Sequence, residues 1–224
     1  MKKQALIAGA TGLIGFELLR FLLEADYDQV VAPVRKKLPY QREKLIELRL
    51  QKSYTETLVE HTGPFADAFC CLGTTIKTAG SRERFVEIDL KLPLEFAAAA
   101  LQHGTQRFFI VTAMGADKNS SIFYNRTKGQ LEEDLSKLGF KELHIFRPSL
   151  LLGQRQEFRL GERLAGSVMS ELSVLFQGPL KKYKPIQARS VARAMIAASQ
   201  KGSDATPAIY LSDKIASMAE ETKT

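Results

Sequence analysis

The chain predicts an α/β fold: a doubly wound parallel sheet with helices on both faces, ending in a small irregular C-terminal lobe. Three observations carry this expectation. Short apolar runs alternate with amphipathic ones along most of the chain. The apolar runs are apolar at nearly every position, as strands are when helices cover both faces of a parallel sheet. Three glycines, Gly9, Gly12 and Gly15, mark the junction between the first apolar run and the helix-like segment after it. A length of 224 residues suits one domain over 1–224, at a prior of about 150 residues per domain, with the lobe at about 153–187.

The elements follow in order. "QALIAG" reads as a strand, "GLIGFELLRFLLEA" as an amphipathic helix and "QVVAPVR" as a second strand ending in charge. A strand at "LIELRL", a helix near 54–60, the strand "ADAFCCLG", a helical region from about 81 to 102 and the strand "RFFIVTA" continue the alternation. A polar loop leads to a helix over about 122–138, with Gly139 as a C-cap. "LHIFRPSLLLG" returns as a strand interrupted by Pro148, since proline cannot donate to a ladder. "ARSVARAMIAASQ" reads as a helix, "PAIYLS" as a late strand, and the tail from 213 as a weak helix or frayed end.

The glycines have a physical use at that junction. Gly9 lets the chain turn at the strand end, Gly12 removes a side chain where a pyrophosphate would approach the backbone, and Gly15 lets the helix pack on the sheet. Phosphate charge would then meet the free N–H groups of the helix start. This is a Rossmann-type, NAD(P)-binding arrangement, although the spacing is G-x-x-G-x-x-G rather than G-x-G-x-x-G; the alternative is a tight turn without a nucleotide. At the end of the second strand, where an NAD site wants an acidic residue for the ribose hydroxyl, "APVRKK" offers Arg35, Lys36 and Lys37. Arg35 can pair with a 2′-phosphate through its planar fork and Lys36 can add a point charge, so NADP(H) is expected over NAD(H). The alternative there is ordinary surface charge.

Tyr124 and Lys128 stand four apart on an expected helix and so share one face. A neighbouring ammonium favours the phenolate, which would make Tyr124 an acid–base group near neutral pH, with Lys128 also available to a ribose. Thr112, twelve residues upstream at the end of a strand, could hold a carbonyl oxygen. Ligands bind at the carboxyl ends of strands in such sheets, which puts Thr112 and the glycine loop at one crevice. The alternative is a surface pair on a helix; the position after a dinucleotide fingerprint favours chemistry.

Taken together, "GATGLIG", "VRKK", "FCCLGTT", "VTAMGADKNSSIFYNRTKG" and "FRPSLLLG" resemble the short-chain dehydrogenase/reductases, most closely their atypical subgroup of the Tat-interacting-protein type, over about residues 4–200. The resemblance implies an NADP(H)-dependent oxidoreductase for a small carbonyl or alcohol substrate, with Tyr124 moving the proton and Lys128 helping it. It puts Thr11, Gly12, Leu13 and Ile14 on the phosphates, Arg35 and Lys36 on the 2′-phosphate, and Leu72, Gly73 and Thr74 along the adenosine half. Leu151 would lie near the nicotinamide, and Arg159 matches a basic position that can reach the cofactor. Two departures stand out: Thr112 replaces a serine and is followed by Ala113, and Asp89 stands where most of the larger family has asparagine, a substitution the subgroup shares. The subgroup includes regulatory members, so an NADPH-binding sensor with little or no turnover is the alternative.

Composition bounds the rest. Hydrophobic residues make up 45% and charged residues 25%, with no run of the roughly 18 apolar residues that would span a membrane. The basic start followed by an apolar run superficially resembles a secretory leader, but Glu17, Arg20 and Glu24 opposite Phe16, Leu19, Leu22 and Leu23 assign the segment to the fold, so a cytoplasmic location is expected. Cys70 and Cys71 are adjacent, point to opposite faces and read as buried thiols. His61, His103 and His144 lack ligand spacing, so no metal is expected. The net charge is +7, and residues 155–193 hold eight basic residues against three acidic ones. Such a segment is most often a solvated face; nucleic acid is not expected as a partner, a protein partner is open, and the resemblance favours a monomer.

Overall fold

The computed structural model of the chain describes residues 2–39, 41–61, 63–152 and 183–221. Its first unit is β1 (Gln4–Ala8), α1 (Leu13–Glu24) and β2 (Gln29–Val34), followed by β3 (Leu45–Arg49), α2 (Tyr54–Leu58) and β4 (Asp67–Cys70). A one-turn helix α3 (Ile76–Ala79) precedes a continuous helical stretch made of α4 (Arg82–Val86), a π-helical turn (Glu87–Lys91) and α5 (Leu92–Gln102). Then come β5 (Arg107–Val111), α6 (Phe123–Ser136), β6 (Glu142–Arg147), β7 (Leu151–Leu152), β8 (Ile186–Gln187), α7 (Ala188–Lys201), β9 (Ala208–Leu211) and α8 (Ser212–Glu221).

Seven strands form one parallel sheet in the order β3-β2-β1-β4-β5-β6-β9, so the order reverses between β1 and β4. This is the expected doubly wound Rossmann-type sheet. Side chains alternate across it into two cores. Ile7, Val30, Ala32, Phe69, Phe109 and Phe146 pack under α1, α7 and α8, while Leu6, Val31, Ala68, Cys70, Phe108 and Ile110 pack under α2, α5 and α6. Cys70 and Cys71 are free thiols that serve opposite cores, as a period of two requires.

Three details differ from the sequence expectation. The helical region begins with the separate α3, because Gly80 takes a left-handed φ of 83° that ends that turn. The strand through Pro148 splits: β6 stays in the main sheet, while β7 pairs with β8 as a separate two-stranded ribbon. The tail is an ordered helix rather than a frayed end, since Ile215 and Met218 bury against the α7 side of the core. The lobe expected at 153–187 falls outside the described residues up to 182, and Arg159 with it.

The first junction is crowded. Gly9 has φ +81°, and a Cβ there would stand 2.7 Å from the Cys71 carbonyl. A Cβ on Gly15 would stand 2.0 Å from the Gly9 oxygen, whereas one on Gly12 would meet nothing nearer than that oxygen at 3.2 Å. Packing and backbone conformation therefore demand Gly9 and Gly15; at Gly12 a Cβ would make a tight contact that a shift of a few tenths of an ångström relieves. Gly15→Ala is expected to cost about 3 kcal/mol, the upper end for overpacking, and Gly12→Ala about 1 kcal/mol or less. Urea unfolding of the two variants checks the difference.

Candidate active site

The carboxyl ends of β1, β2, β4, β5 and β6 lie along one edge of the sheet because all the strands run the same way. At β1, Gly9, Thr11 and Gly12 form the turn into α1, and Gly12 is its N-cap with no side-chain capping bond and no acidic residue in the first turn. The N–H groups of Leu13, Ile14 and Gly15 thus lead into the helix without i−4 partners, and the macrodipole adds positive potential there. A glycine at the N-cap, uncapped amides and an absence of acid in the first turn make a cradle that fits a phosphate group.

At the end of β2, Arg35, Lys36 and Lys37 are exposed. Lys36 and Lys37 line a cavity of about 690 Å³ with Arg42, Arg49, Glu43 and Glu47. Leu72, Gly73 and Thr74 follow β4, which adjoins β1 at the reversal of strand order, and the Cys71 and Leu72 backbone lies against Gly9. Leu151 sits in β7, partly buried against the α1 side of the core.

Tyr124 and Lys128 share a face of α6, whose approach to the preceding loop is set by Gly129: a Cβ there would fall 2.2 Å from the backbone of Asp117 and Lys118. Lys128 is buried and its Nζ lies 2.7 Å from Asp89 Oδ1, with side chains 3% and 1% exposed. The π-helical turn presents Asp89; the Leu92 N–H bonds back to the Glu87 carbonyl, widening the helix at that point. Asp89 Oδ2 accepts from the Thr74 N–H at 2.8 Å. One carboxylate thus joins the loop after β4, the π turn and α6. Burial raises the Asp89 carboxyl above its ordinary range against the opposing pull of Lys128 and the Thr74 N–H.

Tyr124 packs its ring on Phe85, with centroids 5.4 Å apart. Its phenol is held above the usual range, first by burial; Lys128 pulls it down and Asp89 pushes it up. The lowering expected from the lysine alone is thereby corrected: the ammonium faces a carboxylate, and burial wins. Thr112 also differs from its expected role. Its hydroxyl is buried and donates to Glu132 Oε1 at 2.5 Å, and Glu132 is gripped by the Arg147 guanidinium. The single hydroxyl proton goes to α6 rather than into the crevice. Glu132 and the Asp89–Lys128 contact were missed in the sequence; the only signal was an aspartate standing in for an expected asparagine.

Fold and strand order together define a doubly wound α/β protein of the Rossmann type. The HIM1 family profile matches residues 51–177, and the chain belongs to that family. It is 37% identical to Protein FMP52-2, mitochondrial, of Scheffersomyces stipitis over 162 residues, 71% of each chain. It is 36% identical to Protein HTATIP2 of Rattus norvegicus over 174 residues, 76% of this chain and 72% of that one. Among solved structures, MoeE5 in complex with UDP-glucose and NAD superposes with a TM-score of 0.66 at 16% identity, covering 97% of this chain and 81% of that one. The oxidoreductase ylbE from Lactococcus lactis gives 0.56 at 20% identity, covering 68% and 71%. These likenesses agree with the fold. The mitochondrial relative overturns the cytoplasmic expectation: that expectation rested on the first residues being built into β1 and α1, and a folded N-terminal strand carries no address.

Lys128→Met leaves a buried carboxylate without its partner and is expected to cost about 3–5 kcal/mol. The double variant Asp89→Asn/Lys128→Gln, which removes both charges, is expected to recover most of that loss in urea unfolding.

Proposed function

We propose that the protein is an NADP(H)-dependent oxidoreductase that interconverts a small carbonyl compound and its alcohol. The observation that carries the reading is the phosphate-fitting cradle at Gly12 standing on the same sheet edge as the Tyr124–Lys128 face of α6. MoeE5 was solved with NAD, which supports a nicotinamide dinucleotide as the ligand. The bound dinucleotide would supply or accept the hydride. Thr11, Gly12, Leu13 and Ile14 would hold its phosphates, Leu72, Gly73 and Thr74 its adenosine half, and Leu151 and Arg159 its remaining length. Arg35 and Lys36 would take a 2′-phosphate, the basis for preferring NADP(H).

Tyr124 would exchange the proton with the substrate oxygen, and Lys128 would orient it and reach the nicotinamide ribose. Thr112, tied to Glu132, fixes the distance between β5 and α6 rather than touching substrate. Glu132 in turn holds Arg147 at the end of β6, so the helix that carries Tyr124 is braced on two strands.

A second reading, an NADPH-binding sensor with little turnover, is favoured by one observation: Lys128 is already engaged by Asp89 inside the protein. Calorimetric titration separates cofactor from chemistry. NADPH is expected to bind at least about tenfold more tightly than NADH, with Arg35→Ala removing most of that preference, worth about 1.4 kcal/mol. Tyr124→Phe is expected to keep NADPH affinity while abolishing NADPH-dependent reduction of aldehydes and ketones. Binding without turnover in the unaltered protein would favour the sensor; no binding of either nucleotide would sink both.

A further inference from the structure

Two full charges meet inside the crevice. The Lys128 ammonium and the Asp89 carboxylate are 2.7 Å apart and nearly sealed from solvent. Asp89 is fixed from a second side by the Thr74 N–H. Gly73 borders the pair on a third: a Cβ there would lie 3.4 Å from Asp89 Oδ1 and 3.8 Å from Lys128 Nζ. An asparagine at 89 could accept from the same loop amide through its side-chain oxygen. What aspartate adds is one negative charge, placed against the one cation that faces it from α6.

We propose that Asp89 is a positioning residue that cancels the charge of Lys128 on the face of α6 that bears Tyr124, and so sets the site to give a proton to a carbonyl oxygen rather than to take one from an alcohol. The direction of the reaction rests on the oxidoreductase reading above; the charge matching stands on geometry alone. In the reducing direction Tyr124 would give its O–H proton to the carbonyl oxygen, with a bound reduced nicotinamide supplying the hydride that the carbonyl carbon takes up. The alcohol would then leave, and a solvent proton would restore the Tyr124 phenol. A tyrosine that holds its proton at neutral pH starts each such cycle in the required form.

The surroundings of the pair support the assignment. From β4, Cys70 faces both charges, and its thiol stays protonated because burial pushes it up to about 12. From α4, the neutral Phe85 ring covers Tyr124, while Arg84 pairs with Glu87 of the π turn in half-exposed positions. Glu95 of α5 is engaged with the Tyr54 N–H at 2.5 Å. From α6 come Lys128 and Tyr124 themselves. Burial is the first influence on Tyr124, and among the charges around it Lys128 and Asp89 act in opposite directions.

The test uses the full chain labelled with tyrosine carrying ¹³C at Cζ, which gives one resonance for each of the six tyrosines, with Tyr124 assigned by its loss in Tyr124→Phe. Asp89→Asn is expected to lower the Tyr124 titration midpoint by about one pH unit or more, the usual size of an unmasked neighbouring charge. Lys128→Gln should raise it, and the double variant Asp89→Asn/Lys128→Gln should return it close to the unaltered protein. If Asp89→Asn titrates with the unaltered protein, the proposal is overturned. Should Asp89→Asn not fold, the other three proteins decide: equal midpoints in the unaltered protein, Lys128→Gln and the double variant overturn it. An unaltered Tyr124 that resists titration up to alkaline unfolding fits the proposal only if Asp89→Asn, or failing that the comparison with the double variant, brings the order out. NADPH titration is run separately. If the order of midpoints holds and NADPH does not bind, the oxidoreductase reading falls and the charge matching remains. Where turnover is found, NADPH-dependent reduction by Asp89→Asn should begin to decline about one pH unit lower than in the unaltered protein.

Discussion

The close approach of three backbone segments, the end of β1, the start of α1 and the end of β4, is the constraint on which the site depends. Gly15 sits against the Gly9 carbonyl and Gly9 against the Cys71 carbonyl with no space for a Cβ at either. That contact brings the N-terminus of α1 to the line where the strand order reverses. A helix start is useful to an anion only if its amides are reachable, and here Gly12 keeps them so. Two of the three glycines are thus fixed by the fold, and the third, Gly12, leaves the helix start without a capping side chain.

The two ends of the sheet are treated differently. At the amino ends of the strands, Asp67 is fully buried and held by Tyr27, whose hydroxyl donates to it at 2.5 Å, and by Arg107 at 2.6 Å. Burial, with the Asp67 carboxylate next, pushes the Tyr27 phenol far up, and the cluster is a closed structural bolt between β1–β2 and the β4–β5 pair. At the carboxyl ends the charges lie between helix and loop: Asp89–Lys128 on one side, Glu132–Arg147 with Thr112 on the other. Both carboxylates meet partners on α6 or come from it, so the helix bearing Tyr124 is held by ionic contacts as well as by the packing of Leu131 and Leu135. Buried ion pairs contribute little net stability compared with apolar packing. Their value here is in orientation.

The sheet, its helices and the glycine turn were legible in the sequence because each is written in local pattern. A period of two or of 3.6 residues needs no knowledge of distant partners, and Cys70 and Cys71 are assigned to opposite faces by adjacency alone. The site's electrostatics were not legible. Asp89 and Lys128 are brought together by a π-helical turn, and nothing in "FVEIDLKLPLEF" announces the extra residue in that turn. Thr112 shows the same limit from the other side: a hydroxyl at a strand end has the right position for a substrate, and only the tertiary structure reveals Glu132 waiting for its proton. The location of the protein was misjudged for a related reason, since residues built into a strand describe the fold and say nothing of the compartment.

The charge balance bears on both functional readings in physical terms. A lysine paired inside the protein cannot reach a ribose without leaving a carboxylate behind, and an uncompensated buried carboxylate is costly. For Lys128 to serve a bound dinucleotide, it must therefore keep Asp89 while adding a new contact. An ammonium has three donor hydrogens, and the Asp89 contact uses one direction of the three. Gly73, with no side chain beside Nζ, leaves space on that flank. The same geometry that would let a sensor hold its ligand without reacting lets an enzyme hold it and react, and what distinguishes them is whether a carbonyl oxygen can come within hydrogen-bonding reach of Tyr124. Tyr124 is only partly covered, with Phe85 on one side of its ring.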